Sequence, residues 1–290
     1  MPRRHAWYTR AVLGYALVLG SALLHASWNA LAKRSRDPAA AVNAIVAIAG
    51  VLTAVVAVGE WALGGRGGSP RALGLAAITG LLEAGYFYAL GRALTLGPLG
   101  PVYTISRGGA ALLVWPISML TLGERVTPVG AFGSALVIVG LAASSTHAAI
   151  PRAAALYAAS CALFITGYHF TYKYALITGT SPILVFAVSM VVATSVGALL
   201  GGVRYRSGFV GALRAAPVAT LLAGVICGVG FLLFMYALAR GGAAYVFTLR
   251  NTSVVFAVAL GVALGERPSR RALLGAGLVF AGAIALGLAH

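Results

Sequence analysis

The chain has 290 residues, of which 60% are hydrophobic and 9% are charged, and its formal net charge is +16. Soluble domains usually carry roughly a quarter charged residues, so this composition excludes an ordinary soluble domain. The positive charge does not indicate a nucleic-acid partner, because the arginines collect near the ends of apolar runs and form neither a basic tail nor a basic, aromatic module.

The apolar residues form a succession of runs, each about 20 residues or longer, which is the length of a helix that crosses a bilayer core. Pro, Gly and charged residues separate the runs, and such residues end helices. The sequence therefore predicts an all-α polytopic membrane protein with ten transmembrane helices. We expect them at about residues 11–32, 39–63, 72–96, 100–122, 127–146, 152–177, 181–203, 216–239, 241–264 and 268–288. The longest connection, 204–216, has room for a short amphipathic surface helix.

The first run follows a basic start, MPRRHAWYTR, and this combination superficially resembles a signal peptide. Because WNALAKRSR and many further apolar runs come after it, we expect a transmembrane helix that also serves as an uncleaved signal anchor. Basic residues fall on both sides of the predicted topology, so the positive-inside rule assigns no orientation.

The two halves of the chain repeat each other. LGERVTPVGAFGSALVIVGLA, from Leu122, aligns with LGERPSRRALLGAGLVFAGAI, from Leu264, 142 positions later. Upstream, YAL-x-R occurs twice, and the W-N-x-x-x-K pattern of the first run has a counterpart in Y-H-x-x-x-K. We expect one five-helix repeat over residues 1–147 and a second over 148–290. Since each holds an odd number of spans, the second repeat is inverted relative to the first.

These features resemble the drug/metabolite transporter (DMT) superfamily, specifically its EamA type. The resemblance rests on the repeated LGER, the YAL-x-R and W-N-x-x-x-K patterns and the ten-span arrangement, and it covers nearly the whole chain. It implies two five-helix halves around a central cavity, with both termini in the cytoplasm. Members carry amino acids, sugars, nucleotide-linked compounds and drugs, so the resemblance names no substrate.

Polar side chains inside the spans are the candidate site residues, because exposing them to lipid is costly and they tend to face a cavity. His25 and Asn29 share one helical face, since they are four residues apart. His169 falls in the matching part of the second half, although a lone helical histidine is more often a satisfied core residue. The expected substrate-binding set comprises Arg250, Arg107, Asn251, His25, Trp28, Asn29, His169, Tyr103 and Tyr245.

Arg107 and Arg250 are the most informative members of this set. Each either extends its guanidinium toward the headgroups or binds a carboxylate or phosphate in a cavity. The LGER alignment pairs Arg107 with Leu249 and leaves Arg250 one position further on. One residue turns a helical side chain by about 100°, so the two arginines are equivalent only if a bend, for example at Pro116, absorbs the offset.

Glu83 is the only acidic residue near the middle of a predicted span, and it is the candidate for proton coupling. The alternatives are a static pair with Arg107 or a neighbouring hydroxyl, a contact with substrate, and exposure to lipid. Glu124 and Glu266 lie at span ends, where we expect them to brace loops by pairing with neighbouring arginines.

The leading interpretation is a secondary carrier of a small polar metabolite, anionic or zwitterionic, such as an amino acid or organic acid. We expect it in a prokaryotic plasma membrane, with the bilayer and a small-molecule substrate as its partners. A lipid-linked-sugar flippase of the same fold remains an alternative, and a channel or membrane-embedded enzyme is less favoured. No P-loop, HExxH or clustered carboxylates occur, so we expect neither catalysis nor a cofactor. Cys161 and Cys227 indicate neither a disulfide framework nor a metal site.

Overall fold

Helices make up the fold, in a computed structural model that describes residues 2–65, 67–97, 101–102, 104–144, 150–263, 265 and 267–289. Within these ranges there are ten helical segments. They are α1 (Pro2–Lys33), α2 (Pro38–Ala62), α3 (Pro70–Leu96), α4 (Thr104–Leu122), α5 (Pro128–Ser144), α6 (Arg152–Ile177), α7 (Pro182–Ala215), α8 (Pro217–Arg240), α9 (Ala243–Ala263) and α10 (Arg270–Leu288).

The helix boundaries follow local backbone chemistry. Several helices begin at a proline, whose missing N–H costs nothing in the first turn. Asp37 caps α2 by accepting a hydrogen bond from the N–H of Ala40 at 3.0 Å, and Ser69 caps α3 by accepting from Ala72 at 3.2 Å. The α8 helix stops before Gly241, whose extended φ of −111° and ψ of 170° cannot continue it.

The prediction of an all-α polytopic membrane protein is confirmed. Eight of the helices are long and apolar enough to cross a membrane, and the other two are α1 and the 17-residue α5. The α1 helix starts at Pro2, earlier than the apolar pattern predicts. The α7 helix continues through the predicted connection to Ala215, with a break at Gly202, whose φ of 52° and ψ of −130° are not helical.

The largest helix interfaces join the first five helices to the second five. The α5 helix packs on α10, α3 on α6, α2 on α7 and α1 on α8. The main apolar cluster lies where these pairs meet, and Tyr172, Phe186 and Phe234 are among its fully buried side chains. Each half of the chain therefore buries its apolar surface mainly against the other half.

Glycines bring the backbones of α5 and α10 into direct contact. A Cβ atom added at Gly133 would lie 2.9 Å from the carbonyl oxygen of Gly282, and one at Gly140 would lie 2.7 Å from that of Gly275. Small residues are a common means of close helix approach in membranes. Gly133 thus faces Gly282, and Gly140 faces Gly275, where the two helices cross.

Helices α4 and α9 are both irregular near the arginines. The first five residues of α4, Thr104–Gly108, form a π turn that contains Arg107. In α9 the helix tightens directly after Arg250, because the N–H groups of Asn251 and Thr252 donate to carbonyls only three residues earlier, at 3.1 and 3.0 Å. Helix α4 is therefore locally wider than an α-helix, and α9 is locally tighter, close to the arginine in each.

These irregularities explain the one-residue offset between the arginines. Arg107 precedes Gly123 by 16 residues, whereas Arg250 precedes Gly265 by 15. A π turn holds more residues than an α turn and a tight turn holds fewer, which is the direction that the offset requires. The explanation based on Pro116 is not needed, because the π turn ends at Gly108, eight residues before that proline.

Candidate functional site

Arg107 and His25 make a direct contact between α4 and α1. Nη2 of Arg107 lies 2.6 Å from Nε2 of His25, and the two side chains are 5% and 7% exposed. A guanidinium has only N–H donors, so Nε2 of the imidazole accepts and the proton of neutral His25 lies on Nδ1. Arg107 thus points into the helix bundle, and the snorkelling alternative does not apply to it.

Arg250 is also inside the bundle, where it is 4% exposed. Its guanidinium carbon lies 4.1 Å from the ring centre of Phe234 and 4.5 Å from that of Phe231, both on α8. Aromatic faces attract a cation and tolerate its burial better than aliphatic side chains do. The structure therefore holds a permanent cation inside the helix bundle, against aromatic rings.

The charge of Arg250 influences three of the other candidate residues. It acts electrostatically on His25 of α1, Glu83 of α3 and His169 of α6. Together with the contact between His25 and Arg107, this places polar groups from α1, α3, α4, α6 and α9 in one buried region. Five of the predicted site residues are therefore brought together.

Glu83 lies at the α3 side of this region and is 1% exposed. The hydroxyl of Tyr172 donates to its Oε2 at 3.1 Å, and the same hydroxyl lies 2.5 Å from Oγ of Ser189. The Glu83 side chain is therefore buried and hydrogen-bonded to a neighbouring hydroxyl, and whether it also binds a proton or substrate stays a prediction.

Two side chains fix the N-terminus of α9. Nε2–H of His169 donates to the carbonyl oxygen of Ala243 at 2.8 Å. The carboxylate of Glu124, in the α4–α5 connection, accepts hydrogen bonds from the N–H groups of Ala243 and of Ala244, the latter at 3.1 Å. The expectation that Glu124 braces a loop by pairing with an arginine is corrected, since it caps a helix of the other half. Glu266 lies outside the described residues.

Trp28 and Asn29 occupy different environments on α1. The Trp28 ring lies edge-on to His25, 5.3 Å between centres, and is buried with Ile45 and Cys227 between α2 and α8. Asn29 is half-buried, and its Nδ2 donates to the carbonyl of His25 at 2.7 Å. Trp28 therefore supports His25, whereas the amide of Asn29 is used within its own helix.

Of the remaining predicted residues, Asn251 and Tyr245 lie on α9. Asn251 is buried beside Arg250 and donates to the carbonyl of Phe247 at 3.3 Å. Tyr245 is half-buried, with its ring 5.8 Å from that of Tyr15, and it packs against the apolar residues of the α5–α10 contact. Tyr103 lies outside the described residues.

Several residues of the site were missed from the sequence. Tyr172 follows His169 by three positions, so the helical spacing that groups His169 with Lys173 also includes it. Ser189 carries no comparable signal, because serines are common in transmembrane helices. Phe231 and Phe234 are three residues apart and share a face, but aromatic pairs usually indicate simple packing.

Comparison with known proteins agrees with this architecture. Residues 152–288 match the family model described as "EamA-like transporter family". A solved structure titled only "Crystal structure of protein" is 21% identical, covers 97% of this chain and 98% of its own, and has a TM-score of 0.76. Among curated proteins, none matches the chain. The similarity to the solved structure shows a shared fold over almost the full length.

Proposed function

We propose that the chain is a secondary-active carrier, because residues 152–288 match the family model of EamA-like transporters. This match supports a membrane transporter of the DMT type. In our proposal it moves a small anionic or zwitterionic metabolite, such as an amino acid or organic acid, by alternating access.

The observation that carries this proposal is the burial of two guanidiniums against a single buried carboxylate. Arg107 and Arg250 are 5% and 4% exposed, and in the described part of the chain Glu83 is the only buried acidic residue. An excess of fixed positive charge in a low-dielectric region favours a negatively charged ligand. Arginine suits this role because its planar donors match a carboxylate or phosphate.

The burial of the region supports a carrier in an occluded conformation. Three further side chains of the region are no more than 7% exposed, namely those of His25, Glu83 and His169. Water from either side of the membrane therefore has no free access to these groups. A carrier passes through such a state between its two open states, whereas a conducting channel needs a continuous water path.

The helix pairs support two inverted repeats, residues 1–147 and 148–290. Exchanging the halves converts the α1–α8 pair into α6–α3, and both pairs exist in the structure. The α2–α7 and α5–α10 pairs convert into themselves. This is the pattern of a two-fold axis between the halves, which allows two open states of related energy. With ten spans both termini lie on one side, which we assign to the cytoplasm of a prokaryotic cell.

The test begins with ligand-induced thermal stabilisation of purified protein over amino acids, organic acids and phosphorylated metabolites. We expect a hit whose stabilisation and counterflow in proteoliposomes are lost in Arg250→Ala. Arg240→Ala is the matched control, because Arg240 is exposed and donates to the carbonyl of Tyr236 at 3.0 Å. Normal binding and counterflow in both Arg250→Ala and Arg107→Ala would refute the proposal.

The same assay separates carriers from the other classes. Counterflow requires that substrate on one side accelerates exchange from the other, which a channel does not do. Recovery of chemically unchanged substrate from the vesicles excludes an enzyme that modifies it.

A further inference from the structure

Glu83 ends a chain of hydroxyl groups that crosses three helices. Tyr172 of α6 contacts its carboxylate at 3.1 Å, Ser189 of α7 lies 2.5 Å from the Tyr172 hydroxyl, and the Ser189 hydroxyl is 2.9 Å from the carbonyl oxygen of Phe186. All three side chains are buried, with Glu83 at 1% exposure. The carboxyl group is therefore isolated from bulk water in this conformation.

This chain can satisfy Glu83 in either protonation state. With an ionised carboxylate, Ser189 donates to Tyr172 and Tyr172 donates to Glu83. With a protonated carboxyl, the first two bonds reverse and a third forms: Glu83 donates to Tyr172, Tyr172 donates to Ser189, and Ser189 donates to the carbonyl of Phe186. The carboxyl group and both hydroxyls keep a partner in either arrangement, and only the carbonyl of Phe186 gains or loses a bond from Ser189. Neither state therefore leaves one of these three buried side chains unsatisfied.

The groups that face Glu83 come from four helices. Tyr172 of α6 and Ser189 of α7 are in the hydroxyl chain, while Cys227 of α8 and Arg250 of α9 interact with it electrostatically. Of these groups Arg250 is the only permanent cation. The balance between a bound proton and an ionised carboxylate at Glu83 therefore depends on whether another anion neutralises Arg250.

We propose that Glu83 is a proton-binding site that couples transport to the proton gradient, with one proton taken up for each anion bound at Arg250. The inference rests on the proposed function. An anion on Arg250 cancels the field that stabilises the Glu83 carboxylate, so it favours proton uptake there. By reciprocity, a proton on Glu83 strengthens binding of the anion. The coupling therefore has the sign of symport, with proton and anion crossing together.

The experiment measures accumulation of the stabilising anion in proteoliposomes under an imposed pH gradient. For one proton and a monovalent anion, we expect the accumulation ratio to approach about tenfold per pH unit. Glu83→Gln mimics the protonated carboxyl in shape and charge, so it should keep counterflow and lose accumulation. Glu60→Gln is the matched control, because Glu60 accepts from Ser181 at the far end of α2 and lies outside this region. It should accumulate the anion as the wild type does.

A second measurement uses the unmodified protein, so it does not depend on the folding of a variant. Adding the anion to detergent-solubilised wild type in weakly buffered solution should take up about one proton per anion bound, read from a pH indicator. Release of protons, or no change, would overturn the proposal.

The outcomes distinguish the coupling from the transport function beneath it. Only the proton site is refuted if counterflow depends on Arg250 and Glu83→Gln still accumulates the anion under the pH gradient. The proton site at Glu83 is also refuted if His25→Gln loses pH coupling while Glu83→Gln retains it. In that case the proton-binding group is the imidazole of His25. Absence of counterflow for every anion refutes both proposals.

Discussion

The glycine contact between α5 and α10 yields a sharp prediction about stability. A Cβ atom added at Gly275 would lie 2.5 Å from the carbonyl oxygen of Gly140 and 2.6 Å from the backbone nitrogen of Ser144. Ordinary contacts begin at about 3.5 Å, so Gly275→Ala requires the two backbones to separate by about 1 Å. A flexible side chain cannot relieve this overlap, because the nearest atoms belong to the main chain.

The control lies two residues away on the same helix. Gly277 is exposed, and a Cβ atom there would have no neighbour within 4 Å. Both substitutions gain the same helix propensity, up to about 1 kcal/mol, so this contribution cancels when the variants are compared. Overpacking of a well-packed contact costs about 1–3 kcal/mol, and we expect Gly275→Ala to be less stable than Gly277→Ala by that amount.

The assay is thermal unfolding of the two purified variants in one detergent, followed by tryptophan fluorescence and by loss of monodisperse protein. We expect a clearly lower Tm for Gly275→Ala, and Gly140→Ala should behave similarly. Equal Tm values for Gly275→Ala and Gly277→Ala would refute the close backbone contact.

Two further predictions concern contacts between helices. Glu124→Gln removes the negative charge that caps α9 through the N–H groups of Ala243 and Ala244, so we expect a loss of about 1 kcal/mol, measured as a lower Tm. The hydroxyl of Thr79 donates to that of Thr171 at 2.8 Å between α3 and α6, and a double-mutant cycle with valine should give a coupling of about 0.6 kcal/mol.

Both predictions have internal controls. Arg125→Gln changes the net charge by one unit in the opposite direction at the exposed neighbour of Glu124, so a gain of similar size in that variant would show that net charge, not the cap, sets the effect. In the threonine cycle, additive single-variant effects would show that the hydrogen bond between α3 and α6 contributes nothing.

The sequence predicts the helices well because hydropathy and turn residues are local signals. The sixth span, expected at 152–177, is observed as Arg152–Ile177, and the second, expected at 39–63, is Pro38–Ala62. The π turn of α4 was not predicted, since the shift of a hydrogen bond by one residue leaves no pattern in hydropathy. It appears in the sequence only indirectly, as the offset between the two arginines.

The site was predicted in its residue types but not in its contacts. Burial cost identifies Glu83, Arg107 and Arg250 from their positions within apolar runs. Their neighbours come from distant parts of the chain: Tyr172 lies 89 residues after Glu83, and His25 lies 82 residues before Arg107. Such pairs depend on how the two halves pack together, which a single sequence does not specify. Whether the expected residues bind substrate stays a prediction.

The pairing of helices across the halves has a consequence for biosynthesis. Because α1 packs on α8, α2 on α7 and α5 on α10, the first five helices enter the membrane before their main partners have been synthesised. Long sequence separation between contacting segments slows folding and prolongs the exposure of unpaired surfaces. The polar face of α1 and the carboxyl group of α3 can be buried only after the ribosome has synthesised the second half. Assembly of this protein is therefore a late event in translation, set by the arrival of α6 through α10.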